Sequence, residues 1–205
     1  MRLGPVYFVT DPGAPAPVPD QVRAAVAAGV PIVQLRDKEA SDAQMLALAR
    51  EVQPVTRAAG VALVINDRVQ VAIDIGADGL HVGQGDGDIA AIRARIGPDM
   101  RLGLSVETLA QLEAIPTGCV DYLGIGPLRA TATKPDAAPP PGLEGLARII
   151  AAAPVPCVVI GGVNRGDAAS LRRIGAAGIA VVSAISRAPD MEAAARALIR
   201  EWNAE

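Results

Sequence analysis

Short runs of β-branched and aliphatic residues recur along the chain, and polar or glycine residues cluster just past the downstream end of each. Ile32-Val33 leads into Gln34-Leu35-Arg36-Asp37-Lys38, and Leu63-Val64-Ile65 into Asn66-Asp67-Arg68. Leu80-His81-Val82 leads into Gly83-Gln84-Gly85-Asp86, Cys157-Val158-Val159-Ile160 into Gly161-Gly162, and Ile179-Ala180-Val181-Val182 into Ser183. The pattern predicts eight strands, at 6–10, 32–36, 62–66, 79–82, 102–105, 121–125, 156–161 and 178–183. Helical spacing fills the intervals. Met45, Leu46, Leu48 and Val52 make one apolar face of a helix over 41–59, with Ser41-Asp42 as its N-cap and Gly60 as its C′ glycine. Further helices are predicted near 19–28, 69–75, 88–96, 107–114, 143–152, 165–174 and 190–202.

Strand–helix alternation repeated this often calls for a parallel sheet with helices packed outside it. A doubly wound sheet would place Gly-x-Gly-x-x-Gly after the first strand, where this chain has Thr10-Asp11-Pro12-Gly13. A leucine-rich solenoid would carry a Leu-x-x-Leu-x-Leu repeat, which is missing. The expectation is an α/β fold, a single (β/α)8 TIM-barrel domain over residues 1–205, whose site lies past the C-terminal ends of the strands.

Composition narrows the class. About half of the 205 residues are apolar, yet the aromatics are only Tyr7, Phe8, Tyr122 and Trp202. Small branched aliphatics suit parallel strands buried on both faces. A net charge of −3 argues against non-specific nucleic-acid binding. No apolar run approaches the ~18 residues that span a bilayer, and Met1 to Phe8 is too short and proline-broken for a signal peptide. Cys119 and Cys157 form no ligand pattern and read as reduced thiols of a cytoplasmic protein. The Ala-rich outer helices leave room for an apolar patch and a homodimer.

The strand ends carry the chemistry. Past strand 2, Gln34, Arg36 and Lys38 form an anion site, or else a solvated loop with Asp37 neutralising its neighbours; Arg36 can bind phosphate oxygens bidentately. Asp67 and Asp86 follow adjacent strands about 4.8 Å apart, so they either share a hard divalent cation or cap the helices that follow. Gly161-Gly162 and Val182-Ser183 read as the phosphate cradle usual after strands 7 and 8. The long segment after Gly124-Ile125-Gly126-Pro127, with Thr131, Thr133 and Lys134, is a lid over phosphorylated ligands or a linker to the next helix. Ser105 meets substrate or caps a helix. His81, the sole histidine, lies within strand 4 and reads as a hydrogen-bonded structural residue, and no catalytic triad assembles around it.

In this order and spacing the segments resemble the thiamine-phosphate synthase (thiamine-phosphate pyrophosphorylase) family from about Tyr7 to Ser186. The resemblance rests on residues 34–38, Asn66-Asp67-Arg68, His81-Val82-Gly83-Gln84 with Asp86, Gly103-Leu104-Ser105, and Gly124 to Pro127. It continues through Thr131-Ala132-Thr133-Lys134, Ile160-Gly161-Gly162 and Val182 to Ser186. It implies a Mg²⁺-dependent transferase of thiamine biosynthesis. Such an enzyme joins 4-amino-2-methyl-5-(diphosphooxymethyl)pyrimidine to 4-methyl-5-(2-phosphoethyl)thiazole, or its 2-carboxy form, giving thiamine phosphate and pyrophosphate. It also implies that Gln34, Leu35, Arg36, Asp37, Lys38, Asn66, Ser105 and Lys134 hold the pyrimidine diphosphate. Thr131, Ala132, Thr133, Gly162, Val182 and Ser183 would hold the thiazole phosphate, and Asp67 and Asp86 the metal.

That chemistry suits the residues. Arg36, Lys38 and Lys134 can absorb charge on a diphosphate leaving group, which leaves a pyrimidine methylene carbocation for the thiazole nitrogen to capture, and no protein nucleophile is needed. The related thiazole tautomerase resembles the same barrel but has no need of the aspartate pair or the strand 2 cations. Its acid–base histidine is expected just after strand 5, where Glu107 stands. A non-catalytic phosphate-binding barrel is a third reading, against which the aspartate pair argues. Three positions depart from the synthase pattern: Arg129-Ala130 replaces Phe-Pro, Gly85 replaces a glutamate, and Val106-Glu107 replaces a Thr-His pair.

Overall fold

Eight parallel strands close on themselves in sequence order, each paired with the one before and the last with the first. They are β1 (Val6–Val9), β2 (Ile32–Leu35), β3 (Ala62–Asn66), β4 (Gly79–Val82), β5 (Arg101–Val106), β6 (Tyr122–Ile125), β7 (Cys157–Val159) and β8 (Gly178–Val181). The helices are α1 (Val18–Ala27), α2 (Asp42–Ala58), α3 (Val69–Ile75), α4 (Ile89–Ile96), α5 (Leu109–Glu113), α6 (Gly142–Ala152), α7 (Ala168–Arg173), α8 (Ser183–Ser186) and α9 (Met191–Asn203). This computed structural model describes residues 3–130 and 139–204. The architecture is the expected (β/α)8 barrel. No helix among the described residues is long and apolar enough to cross a membrane.

The strands read as continuous apolar runs because both faces are buried. Outward side chains such as Phe8, Val33, Leu35, Ile65, Leu80, Leu104 and Leu123 join the helices in one large core. Inward side chains Tyr7, Val9, Ile32, Val64, Tyr122, Val158 and Ala180 form a second, smaller core inside the barrel. Local signals set the helix ends. Ser41 and Gln44 close a capping box at the start of α2, with the Gln44 N–H donating to Ser41 Oγ at 3.3 Å and the Ser41 N–H to Gln44 Oε1 at 2.8 Å. Gly60, at φ +66°, ends α2 as the C′ glycine read from the sequence.

Five strands are shorter than expected: β1, β2 and β6 by one residue, β8 by two and β7 by three. Gly161 and Gly162, at φ +88° and +70°, take the chain out of β7, and Ser183 opens the short α8 instead of extending β8. Both changes fall on the face that carries the site.

Candidate active site

A pocket opens at the C-terminal end of the barrel, lined by Gln34, Arg36, Lys38, Asn66, His81, Asp86, Ser105, Gly162, Val182 and Ser183. Its apolar wall includes Val9, Val158, Ile160 and Ala180. The expected residues therefore converge from β2, β3, β4, β5, β7 and β8. Strand alternation divides the segment 34–38. Gln34 and Arg36 face the pocket, whereas Leu35 is fully buried in the outer core. Asp37 does not line the pocket either; its Oδ1 accepts from the Glu39 N–H at 3.0 Å and the Ala40 N–H at 3.1 Å, shaping the loop. Thr131, Ala132, Thr133 and Lys134, with the expected lid, lie outside the described residues.

Neither Asp67 nor Asp86 caps the helix that follows it. The cap of α3 is Arg68, without a side-chain bond, and that of α4 is Asp88, whose carboxylate accepts from the Ala91 N–H at 2.6 Å. Ser105 caps nothing, because Thr108 caps α5. Asp67 takes φ +50°, alone among the described non-glycine residues in the left-handed region. Its N–H donates to the His81 carbonyl at 2.9 Å, so pairing with β4 holds that conformation in place. Asn66 Nδ2 donates to Asp67 Oδ2 at 2.7 Å, and the Gly83 N–H to Asp86 Oδ2 at 2.6 Å. Burial first, then the nearby Asp86 carboxylate, hold the Asp67 carboxyl above the ordinary aspartate range, while Arg68, Lys38 and Arg36 pull it back. Two hard-oxygen carboxylates close enough to repel each other fit a small divalent cation that fills its shell with water and substrate oxygens. No larger cluster of metal-ligating side chains occurs among the described residues. A Cβ on Gly85 would meet nothing within 4 Å, so no packing contact occupies the position of the missing glutamate.

Arg36 and Lys38 bring positive charge to the same pocket, which Asp86 lines and Asp67 does not. Neither side chain has an ion-pair partner among the described residues, although both line the pocket. Arg129 plays a different part. It pins the β6 loop to the glycine cradle through a hydrogen bond to the Gly162 carbonyl at 3.0 Å and a two-pronged pair with Asp167 at 2.6 and 2.7 Å. An ion pair thus braces the root of the expected lid where Phe-Pro would have packed. The Arg129 guanidinium holds the Asp167 carboxyl below the ordinary aspartate range. A depressed folded value contributes stability above the usual aspartate pKa and loses it as pH falls through the lower value. Asp167→Asn is expected to be less stable than the parent in urea at neutral pH, with the gap narrowing in acid. A gap independent of pH would contradict the pairing.

Sequence reading missed the floor of the pocket. Tyr7 and Tyr122, 115 residues apart, meet hydroxyl to hydroxyl at 2.8 Å inside the barrel. Gln34 Nε2 donates to Tyr7 Oη at 2.7 Å, His81 Nδ1 lies 3.1 Å from Tyr122 Oη, and His81 Nε2 lies 2.9 Å from Ser105 Oγ. The reading of His81 as hydrogen-bonded holds, and it also lines the pocket. Its ring lies against Gly103 and Gly124, where a Cβ at Gly103 would stand 2.5 Å from His81 Nδ1 and collide with the Tyr122 ring. Gly103→Ala is therefore expected to cost about 1–3 kcal/mol of stability in urea unfolding. Unchanged stability would mean that the two rings do not share this slot.

The thiamine monophosphate synthase family model matches residues 6–185. The chain is 48% identical over 196 residues to a thiamine-phosphate synthase of Chloroflexus aurantiacus, covering 94% of this chain and 90% of that protein. It is 46% identical over 197 residues to one of Roseiflexus sp., covering 95% and 84%. Among solved structures it is similar to thiamine phosphate pyrophosphorylase from Pyrococcus furiosus, with a TM-score of 0.88 and 34% identity, covering 97% of this chain and 95% of that one. A 3-hexulose-6-phosphate synthase, with a TM-score of 0.69 and 18% identity, shares the fold.

Proposed function

This chain belongs to the thiamine monophosphate synthase family, and on that premise we propose that it joins the pyrimidine diphosphate to the thiazole phosphate, releasing pyrophosphate. The observation that carries this reading is the convergence of Arg36, Lys38 and Asp86 on one pocket, with Asp67 just behind the lining residue Asn66 and coupled electrostatically to Asp86, Arg36 and Lys38. Asp67 and Asp86 would hold Mg²⁺, which when bound neutralises charge gathering on the departing diphosphate. Arg36 and Lys38 bind the same diphosphate oxygens, with Lys134 completing the subsite. The bond between the pyrimidine methylene carbon and the diphosphate oxygen breaks, and both electrons leave with pyrophosphate. The thiazole nitrogen then donates its lone pair to the methylene cation and forms the C–N bond. Gly162, Val182 and Ser183 hold the thiazole phosphate, joined by Thr131, Ala132 and Thr133. The wall of Val9, Val158, Ile160 and Ala180 keeps water from the cation.

In this reading the partners are small phosphorylated molecules, and the free thiols Cys119 and Cys157 accord with work in the cytoplasm. The test incubates the full chain with both substrates and Mg²⁺ and follows the products by mass spectrometry. Thiamine phosphate and pyrophosphate in equal amounts are expected. No thiamine phosphate, or an isomerised thiazole carboxylate alone, would overturn the proposal.

A further inference from the structure

At the floor of the pocket, and in part beneath it, runs a continuous string of polar side chains between two residues that line the pocket. Gln34 and Ser105 lie at its ends, and Tyr7, Tyr122 and His81 join them through four contacts of 2.7 to 3.1 Å. Each phenol carries one proton, and a buried O–H left without an acceptor forfeits the hydrogen bond that water would give it, so the direction set at one end propagates to the other. The Gln34 amide N–H donates to Tyr7. Tyr7 Oη, already accepting, then gives its proton to Tyr122 Oη. Tyr122 gives its own to His81 Nδ1, which must therefore be the unprotonated ring nitrogen. The ring proton sits on Nε2 and is donated to Ser105 Oγ. The Ser105 proton cannot return to His81, and Ser105 Oγ has no second partner among the described residues, so its hydroxyl points into the pocket as a donor.

We propose that Tyr7, Tyr122 and His81 form a one-way hydrogen-bond relay that locks His81 in the Nε2–H tautomer and makes Ser105 a donor toward the ligand. Tyr7 and Tyr122 are positioning residues in this scheme. Gln34 keeps its Oε1 to accept, so the floor pairs one acceptor with one donor at fixed places. A heteroaromatic ring bearing an amino group beside an unprotonated ring nitrogen offers the complementary pair. The oxo analogue, with a carbonyl beside a ring N–H, offers the reverse and is disfavoured. Assignment of that ring to the pyrimidine rests on the proposed function; the relay itself does not. Burial pushes the Tyr7 and Tyr122 hydroxyls well above the usual phenol range, so both keep their protons into alkaline solution.

The single histidine makes the test unambiguous, because every imidazole ¹⁵N signal of the full ligand-free chain belongs to His81. The expected spectrum has a protonated Nε2 and an unprotonated Nδ1, without averaging. A protonated Nδ1, or averaged signals, would overturn the relay. The second arm is Gln34→Glu at about pH 9.5, above the range of about 8–9 documented for buried glutamates. An ionised carboxylate can only accept from Tyr7, so the string must reverse and the His81 proton move to Nδ1. In Gln34→Glu with Tyr7→Phe the connection is cut, and His81 is expected to keep Nε2–H. A spectrum unchanged by Gln34→Glu in a chain with native near-ultraviolet circular dichroism would refute the coupling. Should the chain make no thiamine phosphate while His81 behaves as described, the proposed function fails and the relay stands.

Discussion

Asparagine in place of Asp67 is expected to leave the barrel folded and lower kcat for thiamine phosphate formation on the order of 10²–10³-fold, the size of effect seen when one preorganised electrostatic contact is removed. Asparagine is the informative replacement because it tolerates the left-handed backbone at φ +50°, so only the charge is lost. The stability effect has the opposite sign. A carboxyl whose folded pKa is raised favours the folded state below its unfolded pKa, and that contribution is lost as pH rises through the folded value. At neutral pH the ionised Asp67 therefore costs the metal-free protein stability, and Asp67→Asn is expected to unfold at equal or higher urea than the parent. Asp67→Ala lacks a side chain suited to this backbone and is expected to lose about 1 kcal/mol relative to Asp67→Asn. Urea titrations beside steady-state kinetics read both effects. Full activity in Asp67→Asn would remove this residue from the reaction.

The second large effect belongs to Arg36. Its guanidinium lines the pocket without an ion-pair partner among the described residues, while Arg129, Arg187 and Arg93 are each tied to an aspartate. In the proposed function that guanidinium binds the diphosphate. Arg36→Ala is expected to lower kcat/KM for the pyrimidine diphosphate by roughly 10²-fold or more, with KM for the thiazole phosphate unchanged. Arg36→Lys keeps the charge and loses the two-pronged geometry, so about a tenfold loss is expected. Equal losses toward both substrates would place Arg36 in general folding of the site instead of at the diphosphate.

The legible part of this site is the part that punctuates an apolar run. Asn66 ends β3, Arg36, Asp67, Asp86 and Gly162 each lie past a strand, and closure of the barrel brings consecutive loops together. Reading 34–38 as one block ignored the alternation of a strand, which turns Leu35 outward between Gln34 and Arg36. Tyr7 and Tyr122 were hidden for a related reason. Flanked by Val6, Phe8 and Leu123, they look like any core aromatic when both strand faces are apolar. The available signal was alternation itself, since Tyr7, Gln34, His81, Ser105 and Tyr122 all occupy inward positions of their strands. Arg129 was visible only as a departure from a familiar pattern. Its partner Asp167 lies 38 residues downstream, and no local spacing pairs them.

At the centre of the proposed chemistry, two carboxylates share one ion in front of the β2 cations. Calorimetric titration of Mn²⁺ into the full chain with inorganic pyrophosphate present reads this directly. One site per chain is expected in the parent, weakened at least about tenfold by Asp67→Asn or by Asp86→Asn and abolished when both are changed. Parent-like Mn²⁺ affinity in the double variant would contradict the shared site.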